Sequence, residues 1–200
     1  RIREFGSLFK SGRYIDGYGL TESCSGDTLM EAGREIEKIG STGRALPHVE
    51  IRICDDDGRQ LPSGEAGEIC LRGPKLTSGY WRDPEKTAAS FHPGQWFRTG
   101  DIGYLDAEGF LFLTDRKKDM IISGGENIAS SEVERVLYQL PQVLEAAAVG
   151  LPDERWGERV AAVVVLRPGT TLSLEELQFF CRGKLGGFKL PKELVLRETL

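Results

Sequence analysis

The sequence has few of the features that mark a metal centre, a disulfide framework or a secreted protein. Its four cysteines include no CxxC pair, and neither of the two histidines lies near a cysteine. This spacing argues against a zinc site and favours buried, reduced thiols, above all at Cys70 and Cys181. No apolar run is long enough for a signal peptide or a transmembrane segment. We therefore expect a cytoplasmic protein.

The charges do not form a surface suited to nucleic acid. The chain has 26 Lys and Arg residues against 31 Asp and Glu residues, with a formal net charge of −5 and no long block of one sign. Because a phosphate backbone requires clustered positive charge, we expect no nucleic-acid partner and no anionic membrane surface. Hydrophobic residues make up 40% of the chain, as in ordinary globular proteins.

Both ends of the chain are typical of the interior of a longer protein. The chain begins RIREFGSLFKSGRY, without an initiator Met, and stops at LPKELVLRETL, directly after a strand-like run. We expect further sequence on both sides.

The first part of the chain has the pattern of a β-rich domain. Residues 14–26, YIDGYGLTESCSG, predict a buried strand that leads into a loop. From residue 40 to residue 114 the pattern is strand and turn throughout. Residues 49–54 and 67–73 alternate as strands do, and residues 103–114 predict a hairpin around DAEG.

The remainder of the chain predicts a second, small α+β domain. SSEVERVLYQL at 130–140 has one apolar face and a capping box of Ser131 with Glu134, which predicts a helix. LSLEELQFFCRGKL at 172–185 predicts a second helix, capped in the same way from Ser173. Strands flank both helices, in the order strand, helix, strand, strand, helix, strand.

DGYGLTES, at 16–23, is the first candidate binding site. Tyr18 stands between glycines, which let the backbone pass close to a flat ligand while the ring stacks on it. Thr21 and Glu22 follow with oxygen ligands of the kind that Mg²⁺ prefers. The same residues also fit a simple turn at the end of a strand, and the motif by itself leaves both interpretations open.

Three further stretches have both a functional and a structural interpretation. FRTGD at 97–101 ends a predicted strand with Asp101, which suits the binding of a vicinal diol such as ribose, or simply a turn. DRKKDMIISGGENI at 115–128 places three basic residues before an apolar run and two glycines, which a merely solvated surface would not need. Trp156, in LPDERWGERV, fits either a core aromatic or an exposed stacking platform.

Two other features have only a structural interpretation. GSTGRALP at 40–47 lacks the Gly-Lys-Ser/Thr ending of a phosphate loop, and we interpret it as a turn that enters the β-rich domain. His48 and His92 have no partners at ligand spacing, and we interpret both as surface or packing residues.

Taken together, four motifs in this order resemble the adenylate-forming superfamily, which includes acyl-CoA synthetases, peptide-synthetase adenylation domains and luciferases. The motifs are YGLTE at 18–22, GEICLRGPKLTSGYW at 67–81, WFRTGD at 96–101 and DRKKDMIISGGENIASSEVE at 115–134. The resemblance covers nearly the whole chain. Within the superfamily, DMIISGGENI and LPDERWGE are more similar to acyl-CoA synthetases than to peptide synthetases.

The resemblance implies both a fold and a reaction. It implies an α+β protein, with the end of a large AMP-binding domain and its β subdomain at 1–117, and most of a small C-terminal domain at 118–200. The two domains would be joined at a hinge at Lys118. The implied reaction uses ATP to convert a carboxylic acid, expected to be a fatty acid, into acyl-AMP, and then transfers the acyl group to coenzyme A.

The same resemblance implies roles for individual residues. The implied ATP and AMP site comprises Tyr18 and Gly19 at adenine, Thr21 at phosphate, Glu22 at Mg²⁺, and Asp101 and Arg116 at the ribose hydroxyls. The implied coenzyme A site comprises Gly124 and Gly125 along the pantetheine arm, with Trp156, Phe188 and Lys189 facing the nucleotide.

Two elements of the family's phosphate chemistry have no counterpart in these 200 residues. The family's phosphate loop belongs upstream of YGLTE, and the lysine of the first half-reaction follows a PxxxxGK stretch beyond the last strand. We therefore expect the chain alone to be inactive. Two other functions also fit the sequence: a non-catalytic module that binds a nucleotide or coenzyme A, and an adenylation domain that loads a carrier protein.

Overall fold

The chain is organised in two compact units. The computed structural model describes residue 5 and residues 7–200, and the units divide between Thr114 and Asp115. Both units are built on β-sheet with few helices, so the prediction of an α+β fold is confirmed. Among the described residues, no helix is both long and apolar enough to cross a membrane.

The first unit is built on an eight-stranded sheet, counted over the described residues. Its strands pair in the order β1-β2-β3-β8-β7-β5-β4, with β6 beside β7. Their bounds are β1 Gly17–Leu20, β2 Ser25–Leu29, β3 Ser41–Ala45, β4 Glu50–Cys54, β5 Gly67–Arg72, β6 Phe91–His92, β7 Trp96–Leu105 and β8 Leu111–Arg116.

Along strand β5, successive side chains point to opposite faces of this sheet, and side chains on both faces are buried. Ile53 of β4 lies opposite Ile69 of β5, and both are almost fully buried. Cys70 is also buried, as predicted, and packs with Cys54 and Trp96 in a separate cluster. Burial raises the pKa of the Cys70 thiol well above its ordinary value, which keeps the thiol neutral.

Two predictions for the first unit were wrong. The stretch predicted as a turn at 40–47 contains strand β3, whose Ser41 hydroxyl donates to the Leu111 carbonyl at 2.8 Å. The stretch predicted as strand and turn also contains a short helix, α1 Pro84–Ala89, which begins with proline after an Asp83 cap. Strand β3 pairs with β2 and β8, which lie far from it in the sequence, whereas α1 has too few turns to show a helical period.

The second unit has a smaller sheet with two helices. Its strands pair in the order β10-β9-β12-β11, and β13 lies parallel to β12. The bounds are β9 Ile121–Ser123, β10 Glu126–Ile128, α2 Ser130–Leu137, β11 Val143–Asp153, β12 Gly157–Leu166, α3 Leu174–Cys181 and β13 Glu193–Arg197. The core contains Val133 and Leu137 of α2 and Leu177 of α3. Cys181 is buried, as predicted, and burial raises the pKa of its thiol.

The two predicted capping boxes had different outcomes. At α3 the box is confirmed, because the Ser173 hydroxyl accepts from the Glu176 amide at 3.2 Å and the Glu176 carboxylate accepts from the Ser173 amide at 2.8 Å. At α2 the box of Ser131 with Glu134 is wrong. The Glu134 carboxylate instead accepts from the amide of Ala148 on β11, at 3.0 Å.

Candidate active site

Asp101 lies at a bulge within β7, not at the end of a strand as the sequence predicted. Three residues of β7, Thr99–Asp101, stand opposite the single residue Ile69 of β5. Gly100 has a φ of +75°, which favours glycine at this bulge. The Thr99 hydroxyl donates to the Ile69 carbonyl at 2.8 Å and accepts from the Asp101 amide at 3.1 Å. The bulge therefore holds the Asp101 backbone in a defined position.

The Asp101 carboxylate is hydrogen-bonded to Tyr18, which lies 83 positions away in the sequence. Tyr18 Oη donates to Asp101 Oδ2 at 2.8 Å, and Tyr18 is only 9% exposed. Burial, above all, raises the pKa of the Tyr18 phenol far above its ordinary value, so that it remains a neutral donor. Stacking on adenine would have to use a ring that is largely covered, and that role stays a prediction.

We expect Asp101→Ala in the full-length protein to weaken ATP binding by about 1.5–3 kcal/mol, the usual contribution of hydrogen bonds to a charged group. The free energy of unfolding should also fall, by about 1–3 kcal/mol, because the Tyr18 hydroxyl loses its acceptor. Tyr18→Phe is the matched control, since it removes the same internal hydrogen bond and keeps the carboxylate. Calorimetric titration with ATP, together with thermal melting, separates the two effects. An ATP affinity of Asp101→Ala equal to that of the native protein, with folding intact, would assign Asp101 a structural role only.

Gly19 is required by the sheet itself. The pairing of β1 with β2 shifts after Tyr18, so that Asp27 of β2 has no residue opposite it. A Cβ atom on Gly19 would lie 2.1 Å from the carbonyl oxygen of Ser25, far inside van der Waals contact. The predicted approach of a ligand is thus not the only reason for glycine at this position.

Glu22 lies on the short loop that follows β1. Residues Thr21–Ser23 form one 3-10 turn in which Thr21 is exposed and Glu22 is half-buried. Glu22 Oε1 accepts from Tyr80 Oη at 2.9 Å, and no described hydrogen bond uses Glu22 Oε2. Such a carboxylate suits Mg²⁺ that arrives with ATP, because proteins usually bind that ion through one or two carboxylates together with phosphates and water. Across the described residues there is no group of three or more His, Cys, Asp or Glu that could hold a metal ion.

Lys118, the predicted hinge residue, lies in the second unit in the 3-10 turn Lys117–Asp119. Asp115, just before the turn, accepts at Oδ2 from the amide of Ser130 at 2.5 Å and from its hydroxyl at 3.1 Å. The Asp115 carboxylate thereby caps the N-terminus of α2. Arg116 lies between Asp115 and the turn, at the end of β8, and its predicted contact with ribose stays a prediction.

Gly124 and Gly125 form the two-residue turn between β9 and β10, with φ values of +62° and +83°. The Gly124 amide donates to the Trp156 carbonyl at 2.8 Å, and a Cβ atom on Gly124 would lie 2.8 Å from the indole Cε3. At Gly125, a Cβ atom would meet nothing within 4 Å. Gly124 is therefore needed for contact with Trp156, whereas Gly125 has open space beside it, and its role along the pantetheine arm stays a prediction.

Gly124→Ala should destabilise the protein more than Gly125→Ala. Both changes place a Cβ atom at positive φ, at a cost of about 1–2 kcal/mol. Only Gly124→Ala must also displace the Trp156 ring, which should add about 1–3 kcal/mol. Thermal unfolding of the two full-length variants measures the difference. In a Trp156→Ala background the difference should disappear, and equal melting temperatures in the native background would contradict the packing role of Gly124.

The three positions predicted to face the nucleotide of coenzyme A differ in exposure. Trp156 is 49% exposed and Phe188 is 46% exposed, so both rings have free surface for stacking. Lys189 is half-buried, and its Nζ donates to Glu132 Oε2 at 2.6 Å. The Arg155 guanidinium lies 4.7 Å from the centre of the Trp156 ring and adds a cation that the sequence did not single out. The roles of these side chains at coenzyme A stay predictions.

The sequence also did not single out Tyr80, which contacts Glu22, or Lys75, which contacts Asp27 on the strand after the Glu22 loop. Tyr80 and Lys75 lie within the second motif, but nothing in that motif links it to YGLTE. The hydrogen bond between Tyr80 and Glu22 joins residues 58 positions apart. Such a contact depends on the tertiary packing of two loops and has no local signal in the sequence.

Comparison with known proteins agrees with this arrangement. Residues 1–81 match the AMP-binding enzyme family, and residues 132–200 match the AMP-binding enzyme C-terminal domain. The indoleacetate–CoA ligase of Aromatoleum aromaticum is 46% identical over 92% of this chain and 36% of its own length. The long-chain-fatty-acid–CoA ligase of Mycobacterium tuberculosis is 43% identical over 96% of this chain and 37% of its own length.

The fold is similar to that of the o-succinylbenzoate CoA synthetase of Bacillus subtilis. Its structure with the acyl-adenylate intermediate matches 98% of this chain and 40% of its own, at 38% identity and a TM-score of 0.88. Its structure with ATP and a magnesium ion matches 93% of this chain and 38% of its own, at 39% identity and a TM-score of 0.83. The chain thus spans less than half the length of the relatives that it matches. With both family domains present in order, and with these relatives, the chain belongs to the adenylate-forming family of AMP-binding enzymes.

Proposed function

We propose that the chain is part of an ATP-dependent acyl-CoA synthetase, an AMP-forming acid–thiol ligase. The observation that carries the proposal is the hydrogen bond between Tyr18 and Asp101, because it joins two motifs that are distant in sequence. Glu22 follows on the loop after Tyr18. The relatives named above are all CoA ligases or synthetases, which supports the same reaction.

The reaction needs two steps because a carboxylate is a poor acyl donor. It is anionic, and attack by a thiol would have to expel an oxide ion. In the first step a carboxylate oxygen attacks the α-phosphorus of ATP, and pyrophosphate leaves with the electrons of the broken P–O bond. In the second step the thiolate of coenzyme A attacks the acyl carbon, and AMP leaves. The two products are acyl-CoA and AMP.

The first unit would bind the nucleotide. Asp101 would accept hydrogen bonds from the ribose hydroxyls, with its carboxylate oriented by Tyr18. Glu22 would bind the Mg²⁺ of the MgATP substrate, and the exposed hydroxyl of Thr21 would contact phosphate. Tyr18 and Gly19 would lie beside adenine. Arg116, at the end of β8 and within the proposed domain 1–117, would add a donor to the ribose.

We propose domains at 1–117 and 118–200, with Lys118 as the hinge. The division into compact units between Thr114 and Asp115, just before Lys118, supports this assignment. The second domain would bind coenzyme A. Its candidate contacts are Gly124, Gly125, Trp156, Phe188 and Lys189.

The acid substrate is proposed to be a fatty acid. An open groove of about 550 Å³ runs beside β1 and β2, and its lining includes the small residues Ser25 and Gly26, which leave room for an acyl chain. In the stretch 23–28, Ser23, Asp27 and Thr28 are fully buried, so that only the middle of this stretch offers surface to the acid. The relatives act, by name, on both aromatic and fatty acids, and a test must include both classes.

We place the enzyme in the cytoplasm, where free thiols stay reduced.

The test is a screen of the full-length protein with ATP, Mg²⁺ and a panel of fatty and aromatic acids. We expect pyrophosphate release that depends on the acid, and acyl-CoA when coenzyme A is added. Adenylation without transfer to coenzyme A would favour an enzyme that loads a carrier protein. Binding of ATP or coenzyme A with no pyrophosphate release would favour a non-catalytic module. Either result would overturn the proposal.

A further inference from the structure

The segment from Lys75 to Tyr80 holds the Glu22 loop and the strand after it at three points. Lys75 Nζ lies 2.9 Å from the Oδ1 atom of the fully buried Asp27. The amide of Thr77 donates to the main-chain carbonyl of Glu22 at 2.6 Å. Tyr80 Oη donates to Glu22 Oε1 at 2.9 Å. One segment therefore contacts both the backbone and the carboxylate of the same glutamate.

Helix α1 holds Tyr80 in position. Its amide donates to Thr87 Oγ1 of α1 at 2.9 Å, and Lys86 Nζ lies 4.2 Å from the centre of its ring. A Cβ atom on the preceding Gly79 would lie 2.6 Å from Thr87 Cγ2. The backbone just before Tyr80 therefore packs closely against α1. The contacts with α1 thus fix the position from which the Tyr80 hydroxyl donates to Glu22.

We propose that Tyr80 is a positioning residue for Glu22, and that it orients the carboxylate toward the Mg²⁺ of MgATP. A carboxylate that is held at one oxygen presents its other oxygen in a defined direction, and no described hydrogen bond uses Glu22 Oε2. Partners of this kind, which contact a metal-binding side chain without contacting the metal, commonly set metal affinity. The inference rests on the proposed function, because Glu22 is the proposed Mg²⁺ ligand.

The test compares full-length Tyr80→Phe with the native protein by calorimetric titration with ATP at increasing Mg²⁺ concentration. Phenylalanine keeps the ring beside Lys86 and removes only the hydroxyl. Mg²⁺ should increase the ATP affinity of both proteins. We expect Tyr80→Phe to need about 10- to 100-fold more Mg²⁺ than the native protein to reach half of that increase. ATP affinity measured with EDTA should equal that of the native protein, which also shows that the variant is folded.

Two controls separate positioning from a general structural effect. Tyr104→Phe removes the hydroxyl of another half-buried tyrosine in the same unit, one that stacks on Phe112, and it should leave the Mg²⁺ dependence unchanged. In a Glu22→Gln background, Tyr80→Phe should have no further effect on that dependence.

The inference alone is overturned if the native protein depends on Mg²⁺ and Tyr80→Phe behaves like Tyr104→Phe. It is also overturned if Tyr80→Phe weakens ATP binding equally with Mg²⁺ and with EDTA, which is the result of a merely structural contact. If Mg²⁺ has no effect on ATP binding by the native protein, this inference and the proposed function both fail.

Discussion

Lys118→Pro in the full-length protein should slow thioester formation about tenfold or more beyond any slowing of acyl-AMP formation, a difference of about 1.4 kcal/mol in activation free energy. A hinge residue must change φ and ψ between two poses, and proline fixes φ near −65°. That value is compatible with the 3-10 turn in which Lys118 lies, so the variant should fold. We expect it to retain the pose adopted first with ATP, so that the later step is slowed more.

Single-turnover measurements check this prediction. One follows acyl-AMP formation, and the other follows thioester formation from supplied acyl-AMP. Lys118→Ala is the matched control, because it removes the same charge and leaves the backbone free to rotate. If both steps slow equally in Lys118→Pro while the melting temperature is unchanged, Lys118 is not the hinge.

Gly19→Ala should have the largest effect on stability, lowering the free energy of unfolding by more than about 3 kcal/mol. The new Cβ atom would lie 2.1 Å from the Ser25 carbonyl oxygen and 2.7 Å from the Gly26 Cα atom. Both are backbone atoms of β2, so no flexible side chain can move aside. Relief requires β1 and β2 to separate, and overpacking of this kind is costly even where side chains can adjust.

Thermal or denaturant unfolding of the full-length variant measures the effect. Gly26→Ala is the matched control on the neighbouring strand, since its Cβ atom would meet nothing closer than 3.8 Å. We expect that control to lose little stability. A melting temperature as high in Gly19→Ala as in Gly26→Ala would contradict the close approach of β1 and β2.

Patterns within short stretches predicted much of the fold. Alternation at 49–54 and 67–73 predicted strands β4 and β5, because successive side chains of a strand point to opposite faces. The capping box at Ser173 predicted the start of α3, because its hydrogen bonds join residues only three positions apart. The order of four motifs also pointed to the adenylate-forming family, which the family comparisons confirm.

By itself, then, the sequence determined strands such as β4 and β5, one helix cap and the family of this protein, all of which depend on the order or spacing of neighbouring residues. Only the tertiary structure decided that Asp115 caps α2, that Trp156 makes glycine necessary at 124, and that Tyr80 contacts Glu22. Each of these depends on strand pairing and packing that bring distant residues within a few ångströms. A local sequence pattern cannot predict such contacts, because they are stabilised by the assembled sheet and not by the segment itself.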